Sequence, residues 1–221
     1  GSYLVEPRTR AVDLARTISR RQQTPVRLPI GRFRTPAQLE AYLDGRLMSD
    51  SFAVALDSFH LVRPDTYEVY WTLSPEAFLR RMRREYDRFW SRPPANAQSS
   101  ASRRELLAQR CPRLDTRQAV ILASIIDEET NATAEKPLIA SVYLNRLAKG
   151  IPLQADPTVK YAVGDFTLQR ILNTHLRTPS PFNTYLHAGL PPAPICTPSA
   201  SSIDAILAAP ATDYLYFCAS P

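Results

Sequence analysis

The sequence predicts an α+β protein in which a small α+β unit is followed by a mostly helical domain. Strand-like and helix-like apolar patterns alternate in the first 113 residues, whereas helical patterns dominate after residue 114. Charge changes at the same place: residues 1–113 hold 20 Arg against 12 acidic residues, and residues 114–221 hold 7 basic against 9 acidic residues. We therefore expect three parts, namely residues 1–50, a connecting α+β region over 51–113, and a second domain over 114–221.

Within the first part, the sequence predicts a helix, a strand and a second helix. Apolar residues between positions 11 and 21 recur at helical spacing, and the stretch from Val26 to Phe33 alternates like a strand. Thr35 and Pro36 are typical helix-start residues, and Gly45 ends the helix that they begin. This order resembles a small carbohydrate-binding module of the LysM type, although other small α+β units share it.

The connecting region is expected to hold a strand, a basic helix and a linker. Tyr67 to Trp71 alternates like a strand, Ser74 and Pro75 begin a helix that runs to about Trp90, and residues 91–102 are rich in Pro, Ser and Ala. The arginines indicate either a solvated basic face or a polyanionic partner such as an acidic wall polymer or an anionic membrane face. We expect no nucleic acid as a partner, because no zinc finger or RNA-binding motif is present.

Three helices and a strand are predicted in the second domain. Asp115 begins an apolar helix through Ala119–Ile126 that ends in three acidic residues. Another helix runs from about Ala134 to Lys149, and a third lies near 200–208. The stretch Asp213–Phe217 is expected to be a strand.

Glu129, the last of the three acids, is the candidate catalytic residue. At about 100° per residue, Glu129 falls near the middle of the apolar face of its helix, Glu128 at its edge and Asp127 nearly opposite. A carboxyl beside hydrocarbon has its charged form disfavoured, which raises its pKa and suits a general acid at neutral pH. The alternative is a helix-end acid that caps backbone groups or pairs with arginine.

Two further polar clusters are candidates for sugar binding. Amides, hydroxyls and tyrosines between prolines offer hydrogen bonds and flat faces to pyranose rings. The alternative is an ordinary set of turns formed by Asx and Ser/Thr side chains. The residues concerned are Gln154, Asp156, Thr158 and Tyr161 in one cluster and Asn183, Thr184 and Tyr185 in the other.

Nucleotide, metal and cofactor chemistry are not expected. Only 6 glycines are present, and no glycine-rich phosphate loop occurs. The three cysteines and three histidines are scattered, without the spacing of a zinc site or a disulfide framework. We therefore expect no metal and no cofactor.

Several short motifs of the second domain are similar to those of the endolytic murein transglycosylases, the MltG or YceG-like family. Their order and approximate spacing match over residues 114–217, and the combination is highly specific. The matching stretches are Leu122–Thr130, Pro137–Leu147, Leu153–Val159, Phe182–Tyr185, Gly189–Pro192 and Tyr214–Phe217.

This resemblance implies a lyase that cuts peptidoglycan glycan strands internally, between N-acetylmuramic acid and N-acetylglucosamine, and leaves 1,6-anhydro ends. Glu129 matches the family's catalytic glutamate, and Asn145 lies in a matching motif and is assigned to substrate binding. The second domain is expected to have a lysozyme-like core. Asp127 departs from the family's usual Glu-x-Glu-Thr pattern at its first acid.

The resemblance also predicts where the protein is located and which partners it has. Family members carry an N-terminal anchor in the cytoplasmic membrane, face its extracytoplasmic (periplasmic) side and continue past the Tyr-Phe segment, so we expect an upstream anchor and a truncated C-terminus. Peptidoglycan strands and cell-wall synthases are the expected partners. Two other functions stay open: a hydrolase with Asp156 as second carboxylate, and a non-catalytic wall-binding module.

Overall fold

The computed structural model describes residues 1–49, 51–95 and 100–218. Within these ranges the chain forms eight α-helices and one two-stranded antiparallel sheet, which confirms the α+β, mostly helical prediction. Positions 96–99 of the predicted 91–102 linker lie outside the described residues. In the described part of the chain, no helix combines the length and apolar character needed to cross a membrane.

The first half contains the helix–strand–helix order that the sequence predicts. The elements are α1 (Ala11–Ser19), β1 (Val26–Ile30), α2 (Pro36–Asp44), a 3-10 helix (Leu56–Leu61), β2 (Asp65–Val69) and α3 (Pro75–Trp90). Thr35 caps α2 by accepting a hydrogen bond from the Gln38 amide, and Pro36 occupies the first turn. β1 begins at Val26 as predicted but ends at Ile30, and β2 lies two residues before the predicted Tyr67–Trp71. The two strands are antiparallel, with Val26 opposite Val69 and Ile30 opposite Asp65.

The second half is a helical assembly around α5. Its helices are α4 (Arg103–Arg110), α5 (Thr116–Glu129), α6 (Lys136–Ala148), α7 (Asp156–Val163) and α8 (Ala200–Leu207). Asp115 caps α5 and exchanges hydrogen bonds with Gln118 in a capping box. Helix α5 packs against α6, α7 and α8, so every residue from Ala119 to Asp127 is buried.

Two hydrophobic clusters form the core. The first joins the sheet, α2 and the start of α3, with Leu39, Phe59 and Phe78 fully enclosed. The second surrounds α5 and includes Trp90 from the end of α3 and Leu107 from α4. Helix α3 therefore contributes to both clusters and connects the two halves.

Two segments differ from the prediction. Helix α7 is not among the three helices predicted for the second domain; Pro157 sits in its first turn and Gly164, at φ 79°, ends it. The predicted strand Asp213–Phe217 has no regular secondary structure. Side chains of α6 hold this segment: Asn145 donates to the carbonyls of Thr212 and Tyr214, and Arg146 donates to the carbonyl of Leu215. These backbone carbonyls therefore bond to side chains and not to the edge of a sheet.

Candidate active site

Glu129 is the last residue of α5, where the buried helix reaches the surface of the second domain. Its carboxyl is partly buried and accepts a hydrogen bond of 2.6 Å from the hydroxyl of Tyr143 on α6. Burial raises the pKa of Glu129 to about 7, although the Tyr143 hydrogen bond acts in the opposite direction. A carboxyl with this pKa can both donate and accept a proton near neutral pH.

Asp127 lies two residues earlier in a very different environment. Lys136 donates to one carboxylate oxygen at 2.7 Å, as does the Ser199 hydroxyl at 2.7 Å, and Ser202 donates to the same oxygen. Burial disfavours the charge, but these hydrogen bonds outweigh it and hold the pKa of Asp127 below its ordinary value. Asp127 is therefore an ionised structural residue that links α5 to α6 and α8.

Glu128 joins the two halves of the molecule. Its two carboxylate oxygens pair separately with Arg32 and Arg34, which follow β1 in the first half. Arg32 also donates to the backbone carbonyl of Asp127 at 2.7 Å. These two arginines, together with the stretch from Asp127 to Asn131, line a cavity of about 370 Å³ that includes Glu129.

Asp156 and Tyr185 form a polar pair close to Glu129. The Tyr185 hydroxyl donates to the Asp156 carboxylate at 2.6 Å, and the negative charge of Asp156 contributes to the raised pKa of Glu129. Gln154 precedes them, exposed and in the left-handed backbone region at φ 50°, and its side-chain carbonyl accepts from Arg146 at 2.5 Å. The structure thus brings Asp156 and Tyr185 to Glu129, with Gln154 bound to the neighbouring Arg146.

Four other candidate residues have structural contacts that account for their polar groups. Thr158 and Thr184 are buried with their hydroxyl oxygens 2.8 Å apart. Asn183 is fully buried and donates to the Leu176 and Thr178 carbonyls, so it holds the turn that carries Tyr185. Asn145 secures the segment after α8 through its hydrogen bonds to Thr212 and Tyr214.

Tyr161 belongs to an aromatic cluster beside the cavity. Its ring lies 4.5 Å from that of Phe182 and 6.1 Å from that of Phe166, measured between centroids. The guanidinium of Arg34 lies over Phe166, 4.5 Å from the ring centroid. The rings of this cluster are partly exposed and present apolar faces to solvent.

The sequence analysis did not identify Tyr143, Arg32 or Arg34 as parts of the site. Tyr143 lies in one of the matching motifs, two residues before Asn145, and is buried in α6, which packs against α5. A residue with a hydrogen-bonding group at a buried helix position was a detectable signal. No local pattern marks the arginines, because 95 and 96 residues separate Arg32 from its partners on α5.

Comparisons with known proteins identify the family of this chain. The family model for the YceG-like family matches residues 1–221. The chain belongs to the YceG-like family. The crystal structure of a YceG-like protein from Listeria monocytogenes has a TM-score of 0.67 and 26% identity, covering 98% of this chain and 78% of that one.

Curated relatives match part of the chain. An endolytic murein transglycosylase of Bacillus subtilis is 45% identical over 107 residues, which are 48% of this chain and 29% of the relative. One of Streptococcus pneumoniae is 32% identical over 110 residues, 48% of this chain and 20% of the relative. The match thus spans less than a third of the length of either relative.

Proposed function

We propose that this YceG-like chain carries the catalytic site of a lytic transglycosylase that cleaves peptidoglycan glycan strands internally, with Glu129 as its one acid–base residue. The observation that carries the proposal is a carboxyl with a pKa of about 7 in a cavity lined by charged and polar side chains. The names of the Bacillus and Streptococcus relatives support the same activity.

The reaction follows from a single carboxyl that changes protonation state twice. Protonated Glu129 gives its proton to the glycosidic oxygen between N-acetylmuramic acid and N-acetylglucosamine, and the bond to the anomeric carbon breaks. The resulting carboxylate then takes the proton of the muramic 6-hydroxyl as that oxygen bonds to the anomeric carbon, which closes a 1,6-anhydro ring. Because the nucleophile belongs to the substrate, no water and no second enzyme carboxylate are required.

Tyr143 and the Asp156–Tyr185 pair assist in different ways. The Tyr143 hydroxyl, 2.6 Å from Glu129, orients the carboxyl and stabilises its charged form. The Asp156 carboxylate, the Tyr185 hydroxyl and the Gln154 amide supply hydrogen bonds for sugar hydroxyls, and Tyr161 offers a ring face. For Thr158, Asn145, Asn183 and Thr184 we propose an indirect role in binding, through the segments that they hold.

A hydrolase is the second candidate, since the charge of Asp156 acts on Glu129. Asp156 would then activate a water molecule, and the product would carry a free reducing end. The third candidate function is a wall-binding module that binds glycan strands without cleaving them.

Mass spectrometry of digested peptidoglycan separates these functions. The transglycosylase releases fragments that are lighter than hydrolytic fragments by one water, and digestion in ¹⁸O water leaves their muramic ends unlabelled. Labelled, heavier ends would establish hydrolysis, and strand binding without fragments would establish a binding module.

The surrounding architecture is also proposed. Residues 1–50 would form a LysM-like glycan-binding module, and residues 114–221 a lysozyme-like catalytic domain. Phe89, Leu107 and Cys111 of the 51–113 region lie in the second hydrophobic cluster, which supports a connecting region shared by both units. In the whole protein we propose a membrane anchor, an extracytoplasmic location and contact with cell-wall synthases.

A further inference from the structure

Two arginines from the first half of the molecule border the same cavity as Glu129. Arg32 and Arg34 reach α5 from the segment after β1, and Glu128 holds both guanidiniums in place. Side-chain exposure of 36% for Arg32 and 20% for Arg34 leaves part of each accessible from solvent. Neither arginine belongs to α5, the helix that carries Glu129, so the fold of α5 does not explain why two arginines lie at this cavity.

The charges around the cavity do not cancel. Lys136 already balances Asp127, the charges of Asp156 and Lys160 that act on Glu129 are opposite, and the single carboxylate of Glu128 faces two guanidiniums. With Glu129 protonated, one positive charge is left over at the cavity. An anionic group would therefore be attracted to it.

Arg34 also has unused hydrogen-bonding capacity. Its Nε and Nη2 are buried and have no hydrogen-bond partner among the described residues. Buried donors are nearly always paired, so these nitrogens call for an acceptor that the protein does not supply. Stacking on Phe166 fixes the plane of the guanidinium, and a fixed planar fork suits a carboxylate better than a sugar hydroxyl.

We propose that Arg32 and Arg34 form a carboxylate-binding subsite for the peptide stem of peptidoglycan. This inference rests on the proposed function, because it takes peptidoglycan as the substrate. The stem is attached to the muramic acid ring whose anomeric carbon Glu129 would act upon, so a stem carboxylate lies near the reacting bond. The first half of the molecule would thus select stem-bearing strands at the catalytic site itself.

The test compares two preparations of the same glycan strands, one with free stem carboxylates and one with those carboxylates amidated. Binding is measured with Glu129→Gln protein, in which turnover is blocked. We expect the unmodified strands to bind about tenfold more tightly, as for a hydrogen-bonded charge pair. Arg32→Gln and Arg34→Gln in the same background should remove most of this preference, while Arg27→Gln, an exposed arginine of β1 outside the cavity, should keep it.

The outcomes distinguish this subsite from the catalytic proposal. Equal binding of both preparations by the protein with intact arginines overturns the subsite, and this comparison needs no arginine variant to fold. Equal weakening of both preparations by Arg34→Gln also overturns it, because the arginine then only supports α5. A preference for stem carboxylates, together with no fragment release by the unmodified protein, would keep the subsite and refute the catalytic function instead.

Discussion

Asp127 and Glu129 lie two residues apart on one helix, yet their surroundings drive their pKa values in opposite directions. Asp127 receives hydrogen bonds from Lys136, Ser199 and Ser202, and its pKa is lowered. Glu129 receives one hydrogen bond, from Tyr143, and burial raises its pKa to about 7. Both carboxyls are at least partly buried, so the number of hydrogen bonds that each one accepts decides whether it is charged.

This contrast separates a structural acid from the proposed catalytic acid within a single helix turn. The ionised Asp127 ties α5 to α6 and α8, which fixes the end of the helix on which Glu129 stands. Glu129 retains its proton up to about pH 7 because it is buried and receives only one hydrogen bond, from Tyr143. Replacing Glu129 should therefore affect mainly turnover, whereas replacing Asp127 should affect mainly stability at neutral pH.

The largest expected effect is on turnover at Glu129. Glu129→Gln keeps the size and a hydrogen-bonding head group but can neither donate nor take the proton. General acid–base catalysis contributes about 10²–10⁴ in rate, so fragment release should fall at least that far while strand binding persists. Initial rates of fragment release from purified peptidoglycan measure the change.

A matched control is Asp87→Asn, which changes an exposed acid on α3 and should leave the rate unaltered. Near-normal fragment release by Glu129→Gln would refute the catalytic assignment. Asp156, the other carboxylate whose charge acts on this site, would then become the candidate.

The second effect is on stability at Asp127. Asp127→Ala leaves the Lys136 ammonium, which is only 5% exposed, without its counter-ion. Loss of one partner of a buried ion pair costs about 3–5 kcal/mol in the free energy of unfolding, which chemical denaturation measures. Adding Lys136→Met should recover much of the loss; if it does not, the hydrogen bonds to the serines are more important than the ion pair.

The sequence predicted the parts of this comparison that depend on local pattern. Capping residues such as Thr35, Ser74 and Asp115 marked the starts of α2, α3 and α5, and each accepts the expected backbone hydrogen bond. Glu129 was selected by its position after an apolar run. The raised pKa agrees with that reasoning, because a carboxyl at the end of a buried helix is shielded from water.

Contacts between distant segments were not predictable in the same way. The helical projection placed Asp127 nearly opposite the apolar face, but α5 is enclosed on all sides, so Asp127 is buried too. Its partners come from α6 and α8, and those of Glu128 come from the first half. The segment 213–217 has the aromatic-rich composition of a strand but meets side-chain donors of α6 instead of a strand edge.

A third prediction concerns stability as a function of pH. The pKa of Glu129 is raised from 4.5 to about 7 on folding, so between these values the folded state binds more protons than the unfolded state, and stability falls as pH rises. Glu129→Gln removes this slope and should gain up to about 3 kcal/mol relative to the unmodified protein between pH 4.5 and 7.5. Chemical denaturation of both proteins at pH 4.5 and at pH 7.5 measures this difference in the free energy of unfolding.

Asp127 should make stability depend on pH in the opposite direction. Its pKa is lowered on folding, so its contribution is complete above the ordinary value of 3.8 and is lost as pH falls below it. Asp127→Asn should therefore lose stability at pH 7 and approach the unmodified protein in acid. Parallel pH curves for the two variants would contradict the division into a structural and a catalytic carboxyl.

The smallest expected effect comes from Tyr143→Phe. The Tyr143 hydroxyl donates to Glu129 at 2.6 Å and stabilises its charged form, so removing the hydroxyl should raise the pKa of Glu129 further. A general acid works only while protonated, and kcat/KM should therefore fall through a midpoint that lies above about pH 7, by up to about one pH unit. Because the ring and its packing are retained, the rate below pH 6 should change less than tenfold. A pH–rate profile with an unshifted alkaline limb would show that Tyr143 supports the helix without tuning the carboxyl, and the low pKa of Asp127 would then be the one value in this comparison set by hydrogen bonds.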